Sequence, residues 1–141
     1  ILHQEIARSE VTLSTLSLLA MTIDDHQQII EIHGRNNSDE ILKEFTGKLS
    51  TLLRAGDEVF HNAKGTFYIL LPNCPEDGVM LLKERLQQQL DGTQWGDVGE
   101  LQLNTGIATL KKNENAHDFL QRTSEHVQKQ QQTALRLMAF N

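Results

Sequence analysis

A guanidinium and a carboxylate stand three residues apart in "RAGD", Arg54 and Asp57, just ahead of a run of strand-forming residues. Taken alone, such a pair reads as a surface salt bridge or a helix stop. Soon after it comes "FHNAKGTFYILLP", two short strands joined by a tight turn in which Gly65 can take the left-handed conformation. Lys64 at that tip could meet a phosphate, although a loop-tip lysine is usually solvated. Asp24, Asp25 and Asp39 read as acids at helix N-termini, where the helix dipole favours them. The six histidines (His3, His26, His33, His61, His117, His126) show no metal-ligand spacing. Cys74 is the single cysteine. It lacks matched His or Asp partners for a nucleophilic role and excludes an internal disulfide, which fits a reducing compartment.

The elements that must position these groups follow from periodicity. "EIARSEVT" leads in as a short helix. "TLSLLAMTI" is a continuous apolar run of strand length, so it is expected to be a central strand covered on both faces. "DDHQQIIEIHG" is helical, with Ile29, Ile30 and Ile32 partly on one face and Gly34 as its stop. Ser38 is the expected N-cap of the next helix, where Ile41, Leu42, Phe45, Leu49, Leu52 and Leu53 recur at helical spacing up to Arg54. "AGDEVFHN" and "TFYILLP" form a hairpin. "EDGVMLLKERLQQQL" is a third amphipathic helix with Val79, Leu82, Leu86 and Leu90 inward. "DGTQWGDVGE" is a Gly-rich loop or small hairpin, and "LQLNTGIATL" alternates as a strand. "AHDFLQRTSEHVQKQQQ" is a last helix, after which "ALRLMAF" could return as an edge strand. The expected class is α+β, a mixed or antiparallel central sheet of about five strands covered by helices.

Composition bounds the rest. With 141 residues, 38% hydrophobic and 23% charged, the chain is expected to form one domain over residues 1–141. A net charge of -6 and a pI near 5.4 argue against a broad nucleic-acid surface. No apolar stretch approaches the roughly 18 residues needed to span a bilayer, and no signal peptide is expected. The first residue is not Met, which suggests a domain excised from a larger protein.

Four stretches in order resemble the GGDEF domain, the diguanylate cyclase family that joins two GTP molecules into cyclic di-GMP. They are "EIAR", "LSLLAMTIDDHQQIIEIHGRNNSDEIL", "LRAGDEVFHNAKGTFYILLP" and "LQLNTGIAT". Together they cover nearly the whole chain and imply the nucleotide-cyclase-like GGDEF fold. The signature itself falls on Ala63, Lys64, Gly65, Thr66 and Phe67. In the family the glycines let the backbone approach the triphosphate, and the acid beside the Phe serves metal and catalysis. Here Ala63 adds a methyl group, Lys64 a long side chain, and Thr66 lacks the carboxylate. The first metal-binding Asp of the family is Thr22, beside Ile23. The Asn that reads guanine is Ile30, while Asp39 keeps the second guanine position. Mg²⁺ needs hard anionic oxygens, and the family's C-terminal Lys and Arg find no match in "QKQQQTALR". The resemblance with these departures implies a degenerate domain that is no enzyme, with no catalytic residue, no metal and no Mg²⁺ cofactor.

A second family site has its residues in place. An RxxD motif before the signature binds product cyclic di-GMP as a feedback inhibitor in many members, and Arg54 and Asp57 match it. By resemblance a guanidinium fork would donate to guanine O6 and N7, and the carboxylate would accept from N1–H and N2–H. The family's further arginine falls on Arg85, and an arginine that reaches across from a second subunit falls on Arg8. The resemblance therefore implies a cyclic di-GMP receptor or regulatory module, in bacterial second-messenger signalling tied to exopolysaccharide, biofilm, adhesion or motility. Expected partners are cyclic di-GMP, neighbouring domains of a longer protein and a ligand-linked second copy, with no nucleic acid. The expected place is the cytoplasm, or the cytoplasmic part of an inner-membrane protein. Two alternatives stay open: a nucleotide-independent dimerisation or interaction module, and a GTP-binding regulatory domain.

Overall fold

The structure is a computed structural model. It describes residues 2–12, 14–24, 26–61, 65–91, 93–95, 99 and 101–139, with side chains left aside at 11, 12, 26, 27 and 130–139. The element at its centre is β1 (Leu16–Ile23), whose residues are buried at every position except Thr22. Its apolar run leaves no face for water, so it must lie inside the sheet. It pairs antiparallel with β3 (Thr66–Pro72) on one side and β4 (Leu103–Thr109) on the other. β2 (Glu58–His61) adds to the outer edge of β3, giving the order β2-β3-β1-β4. The expected mixed-or-antiparallel sheet is thus antiparallel, with four strands among the described residues.

Alternate residues of β1 feed two cores. Leu19, Met21 and Ile23 pack with Phe67, Ile69 and Leu71 under α2 (His26–His33), α3 (Arg35–Leu52) and α4 (Glu76–Leu90). Phe45 of α3 lies 4.7 Å from the Phe67 ring and 5.3 Å from Trp95, ring centre to ring centre. Leu16 and Leu18 face the other way, onto Ile6 of α1 (Leu2–Thr12) and Phe119 of α5 (Ala116–Ala139). Against β4, α5 comes unusually close. An added Cβ on Gly106 would sit 2.6 Å from the Val127 backbone nitrogen.

Three expectations are corrected. Of the "ALRLMAF" segment, residues 134–139 continue α5 as helix and do not return as an edge strand, and Phe140 lies outside the described residues. Ala, Leu, Arg and Met are strong helix formers, and extending a helix needs no new nucleus. Ser38 is not a helix N-cap. α3 begins at Arg35, because Gly34 takes φ 84° and turns the chain directly from α2 into α3, and its carbonyl accepts from the Ser38 N–H at 3.1 Å. Ser38 lies buried one turn inside. Ile32 is 72% exposed while Ile29 is buried, so α2 presents less apolar face than its three isoleucines suggest. Among the described residues no helix is long and apolar enough to cross a membrane.

The turn from β4 into α5 is held by an ion pair with a pH signature. Arg122 donates through Nε and Nη2 to the Glu114 carboxylate at 3.0 and 2.8 Å, and Nη2 also meets the Thr109 carbonyl at 2.6 Å. These bonds hold the Glu114 carboxyl below its ordinary value of 4.5, against an opposing push from burial. Above that value the group is charged in folded and unfolded chains alike, and the stabilisation is complete. Below it the unfolded chain takes up the proton first, so stability falls with pH. Urea melts should therefore show a smaller loss of stability below pH 4.5 for Glu114→Gln than for wild type. Equal slopes would refute the assignment.

Candidate functional site

α3 stops at Leu52, whose carbonyl accepts from Arg85 Nη2 of α4 at 2.8 Å. Two residues on, the chain folds back over itself. The Asp57 N–H donates to the Arg54 carbonyl at 3.1 Å, and Gly56 takes φ 95° to allow it. Arg54 returns three bonds to the Asp57 carboxylate. Its backbone N–H and Nε reach Oδ2 at 3.0 and 3.3 Å, and Nη2 reaches Oδ1 at 3.1 Å. Nη2 also donates to the Pro72 carbonyl at 3.1 Å, tying the turn to the end of β3. The Asp57 side chain is only 2% exposed, whereas that of Arg54 is 55% exposed. The bond to Asp57 raises the Arg54 pKa despite some burial. A buried carboxylate thus holds an open guanidinium in one orientation.

That guanidinium borders a cleft of about 490 Å³. Glu5, Arg8 and Ser9 of α1 form one wall, the 54–57 turn with Pro72 and Asn73 the other, and Ser14 to Leu16 run between them. Arg8, 76% exposed, stands 3.9 Å from Glu5. The cleft carries two arginines, two acids and hydroxyls, a lining suited to a polar, anionic ligand with hydrogen-bonding edges. Of the four residues expected there, Arg54, Asp57 and Arg8 share the cleft, and Arg8 belongs to the same chain as Arg54. Arg85 does not line it, because its guanidinium caps the end of α3. Sequence reasoning missed Glu5, one helical turn before Arg8, and the Pro72 carbonyl, which no side-chain pattern announces. Cys74, just beyond, is buried, and that burial pushes its thiol pKa up. Iodoacetamide at neutral pH should alkylate it slowly in the folded chain and readily in urea, as read by mass spectrometry.

The hairpin tip is arranged differently. Gly65 takes φ 78°, and its carbonyl accepts from the Ile23 N–H at 3.1 Å. Thr66 pairs with Thr22 across β3 and β1, their hydroxyls 3.1 Å apart and bonded to each other. Asp24 accepts from the Asn104 side-chain amide. Phe67 is fully buried against Phe45. Ile30 lies half-buried on α2. Asp39 borders a separate hollow of about 550 Å³ with Leu42, Lys43, Thr46, Gly47 and His61. Ala63 and Lys64 lie outside the described residues. Mg²⁺ calls for anionic oxygens in octahedral array. The described residues offer two hydroxyls bonded to one another and one carboxylate already accepting a bond. No group of three or more His, Cys, Asp or Glu among them could hold a metal. The described residues therefore do not fit a carboxylate-held Mg²⁺.

Comparison with known proteins agrees with this architecture. The profile of the family described as "Diguanylate cyclase, GGDEF domain" matches residues 1–135. The diguanylate cyclase DosC of Escherichia coli K12 is 26% identical over 129 residues, which is 89% of this chain and 28% of that protein. This chain thus spans little more than a quarter of the length of that curated relative. Among solved structures, the active GGEEF domain of a Vibrio cholerae diguanylate cyclase superposes with a TM-score of 0.82 at 21% identity, covering 94% of this chain and 86% of that one. The GGDEF domain of DgcB from Caulobacter crescentus, solved with cyclic di-GMP, gives 0.84 at 15% identity, covering 94% and 81%. At these identities the superpositions show a shared fold. The expectation that the chain is no enzyme is corrected by the matches. The matching family is an enzyme family, and the relative aligned over most of this chain is named for that activity.

Proposed function

The chain belongs to the GGDEF domain family of diguanylate cyclases, and within that family we propose that it binds cyclic di-GMP in the cleft between α1 and the Arg54–Asp57 turn. The observation that carries this reading is the guanidinium of Arg54, 55% exposed at the mouth of the cleft and fixed by a carboxylate that is 2% exposed. Nε and Nη2 of Arg54 are already bonded to Asp57 and the Pro72 carbonyl, so Nη1 is the nitrogen that can meet the O6 and N7 edge of guanine without breaking a bond, while the charge draws the anionic phosphates. Asp57 spends both oxygens on Arg54, so its first task is to aim that group. Oδ1 accepts a single bond and keeps one acceptor site, but at 2% exposure a base reaches it only if the turn opens slightly. The ligand DgcB was solved with is the one proposed here.

In this reading no metal is needed, since guanidinium groups at the cleft supply the positive charge an anionic phosphate requires. Isothermal titration of the chain with cyclic di-GMP tests the reading, and the affinity should be the same in EDTA and in Mg²⁺. An absence of heat at tens of micromolar ligand would end it.

A further inference from the structure

β4 is the outermost strand on its side of the sheet among the described residues. Its alternate residues therefore aim backbone groups away from β1, and such an edge is open to water or to another strand. Two side chains of α5 close it. Arg122 Nη2 donates to the Thr109 carbonyl at 2.6 Å. His126 meets Ile107, its Nδ1 standing 2.8 Å from the backbone N–H and 3.0 Å from the carbonyl oxygen. The spacing explains why both fit. Residues four apart on a helix are about 6 Å apart along its axis, and residues two apart on a strand about 6.5 Å. Arg122 and His126 thus fall opposite Thr109 and Ile107 as two pins. The first is fixed, because a guanidinium keeps its charge and Glu114 holds it as well. The second faces two partners of opposite kind with one nitrogen. A lone pair on Nδ1 accepts from the Ile107 N–H, whereas a proton there makes a donor that only the carbonyl can use.

We infer that His126 is a pH-operated clasp on the edge of β4. Neutral, with its proton on Nε2, it takes the Ile107 N–H. When solvent protonates Nδ1, it shifts to the Ile107 carbonyl and releases the N–H. His126 is half-buried and borders a hollow of about 200 Å³ between α4 and β4, so the released donor opens onto water. The charged groups across that hollow are Glu76, which attracts an imidazolium, and Lys83, which repels one. On α5, Arg122 is paired with Glu114, Glu125 accepts from Gln121, and Lys129 lies three residues further along. β4 adds no charge. α5 stays docked in both states, since Arg122 keeps the Thr109 carbonyl. What changes is the edge, closed by protein atoms when the ring is neutral and presenting one free donor in acid. Cyclic di-GMP plays no part in this.

NMR of the nitrogen-labelled chain between about pH 8 and 5 tests the clasp, across the range in which histidine changes charge and above that in which Glu114 acts. At the upper end His126 should show the tautomer protonated on Nε2, with a coupling across the hydrogen bond between Nδ1 and the Ile107 amide nitrogen. As the ring takes up its proton the coupling should vanish. Protection of the Ile107 amide, referred to the unstructured exchange rate at each pH, should fall about tenfold in the same step. The Thr123 amide, inside α5, should keep its protection. His126→Gln offers a carbonyl that accepts but nothing that titrates in this range, so it should show no step at Ile107. An Nδ1–H tautomer at the upper end would overturn the inference. So would Ile107 protection that is constant in wild type, or that steps equally in His126→Gln. Loss of protection at Thr123 together with Ile107 would also overturn it, because acid would then be undocking the helix.

Discussion

Arg54→Ala should weaken cyclic di-GMP binding by about 100-fold or more, close to 3 kcal/mol at about 1.4 kcal/mol per factor of ten. Three losses add in one direction. A charge-assisted hydrogen bond from the guanidinium to a guanine edge is itself worth about 1.5–3 kcal/mol. The positive charge that draws the phosphates disappears. Asp57, 2% exposed and bonded three times to Arg54, is left as an uncompensated carboxylate facing an anionic ligand. The backbone N–H of residue 54 survives the substitution, so the turn keeps one of those bonds. Arg54→Lys separates charge from geometry, since lysine keeps the charge but has no planar fork. It should still lose about tenfold or more. Circular dichroism guards against a trivial outcome, because unpairing Asp57 should cost about 1–3 kcal/mol of stability. Thermal shift gives a second reading of the same loss. Ligand at about 100 times its dissociation constant stabilises the folded wild type by about 2.7 kcal/mol and should leave Arg54→Ala almost unmoved. Wild-type affinity in a folded Arg54→Ala chain would remove Arg54 from the site.

How far the sequence discloses this arrangement depends on what each residue's position has to satisfy. β1 was legible because eight consecutive residues of strand length, nearly all buried, admit one reading. Phe45 and Leu49 declared the inner face of α3 through helical spacing. Trp95 was not legible. It lies between glycines in a segment without period, yet it is 3% exposed and closes the aromatic stack on Phe45. Ser38 misled because capping preference is local, while Gly34 had already set the start of α3 four residues earlier. Asp57 showed its type and spacing, but not that it would be buried and committed to Arg54. Arg85 matched a family position, but where its guanidinium goes was decided by the unsatisfied carbonyl at the end of α3. Placing Arg8 in the cleft of its own chain needed the packing of Ile6, which one short helix does not specify by itself.

Gly106→Ala should destabilise the fold by about 3 kcal/mol, at the upper end of overpacking costs, and lower the melting temperature by roughly 10 °C in a domain of this size. No unusual backbone angle is at stake. The reason is contact. A Cβ at Gly106 would lie 2.6 Å from the Val127 nitrogen, 2.7 Å from Val127 Cγ2 and 2.9 Å from the Thr123 carbonyl oxygen. Two of these atoms are helix backbone, so no side-chain rotation relieves the clash and α5 itself must step away from β4. That movement is opposed along the same edge. Arg122 holds the Thr109 carbonyl at 2.6 Å, and His126 Nδ1 accepts from the Ile107 N–H at 2.8 Å. Phe119, fully buried between α5 and the sheet, would lose packing as the helix retreats. Gly47→Ala is the matched control. It lies inside α3 with nothing within 4 Å of the added carbon, so exchanging a helical glycine for alanine should stabilise by about 0.5–1 kcal/mol. Opposite signs for the two substitutions in urea denaturation would show that glycine at 106 serves helix–strand approach. A neutral Gly106→Ala would mean that α5 can step away at little cost. The Arg122 and His126 contacts would then have to be weaker than their geometry indicates.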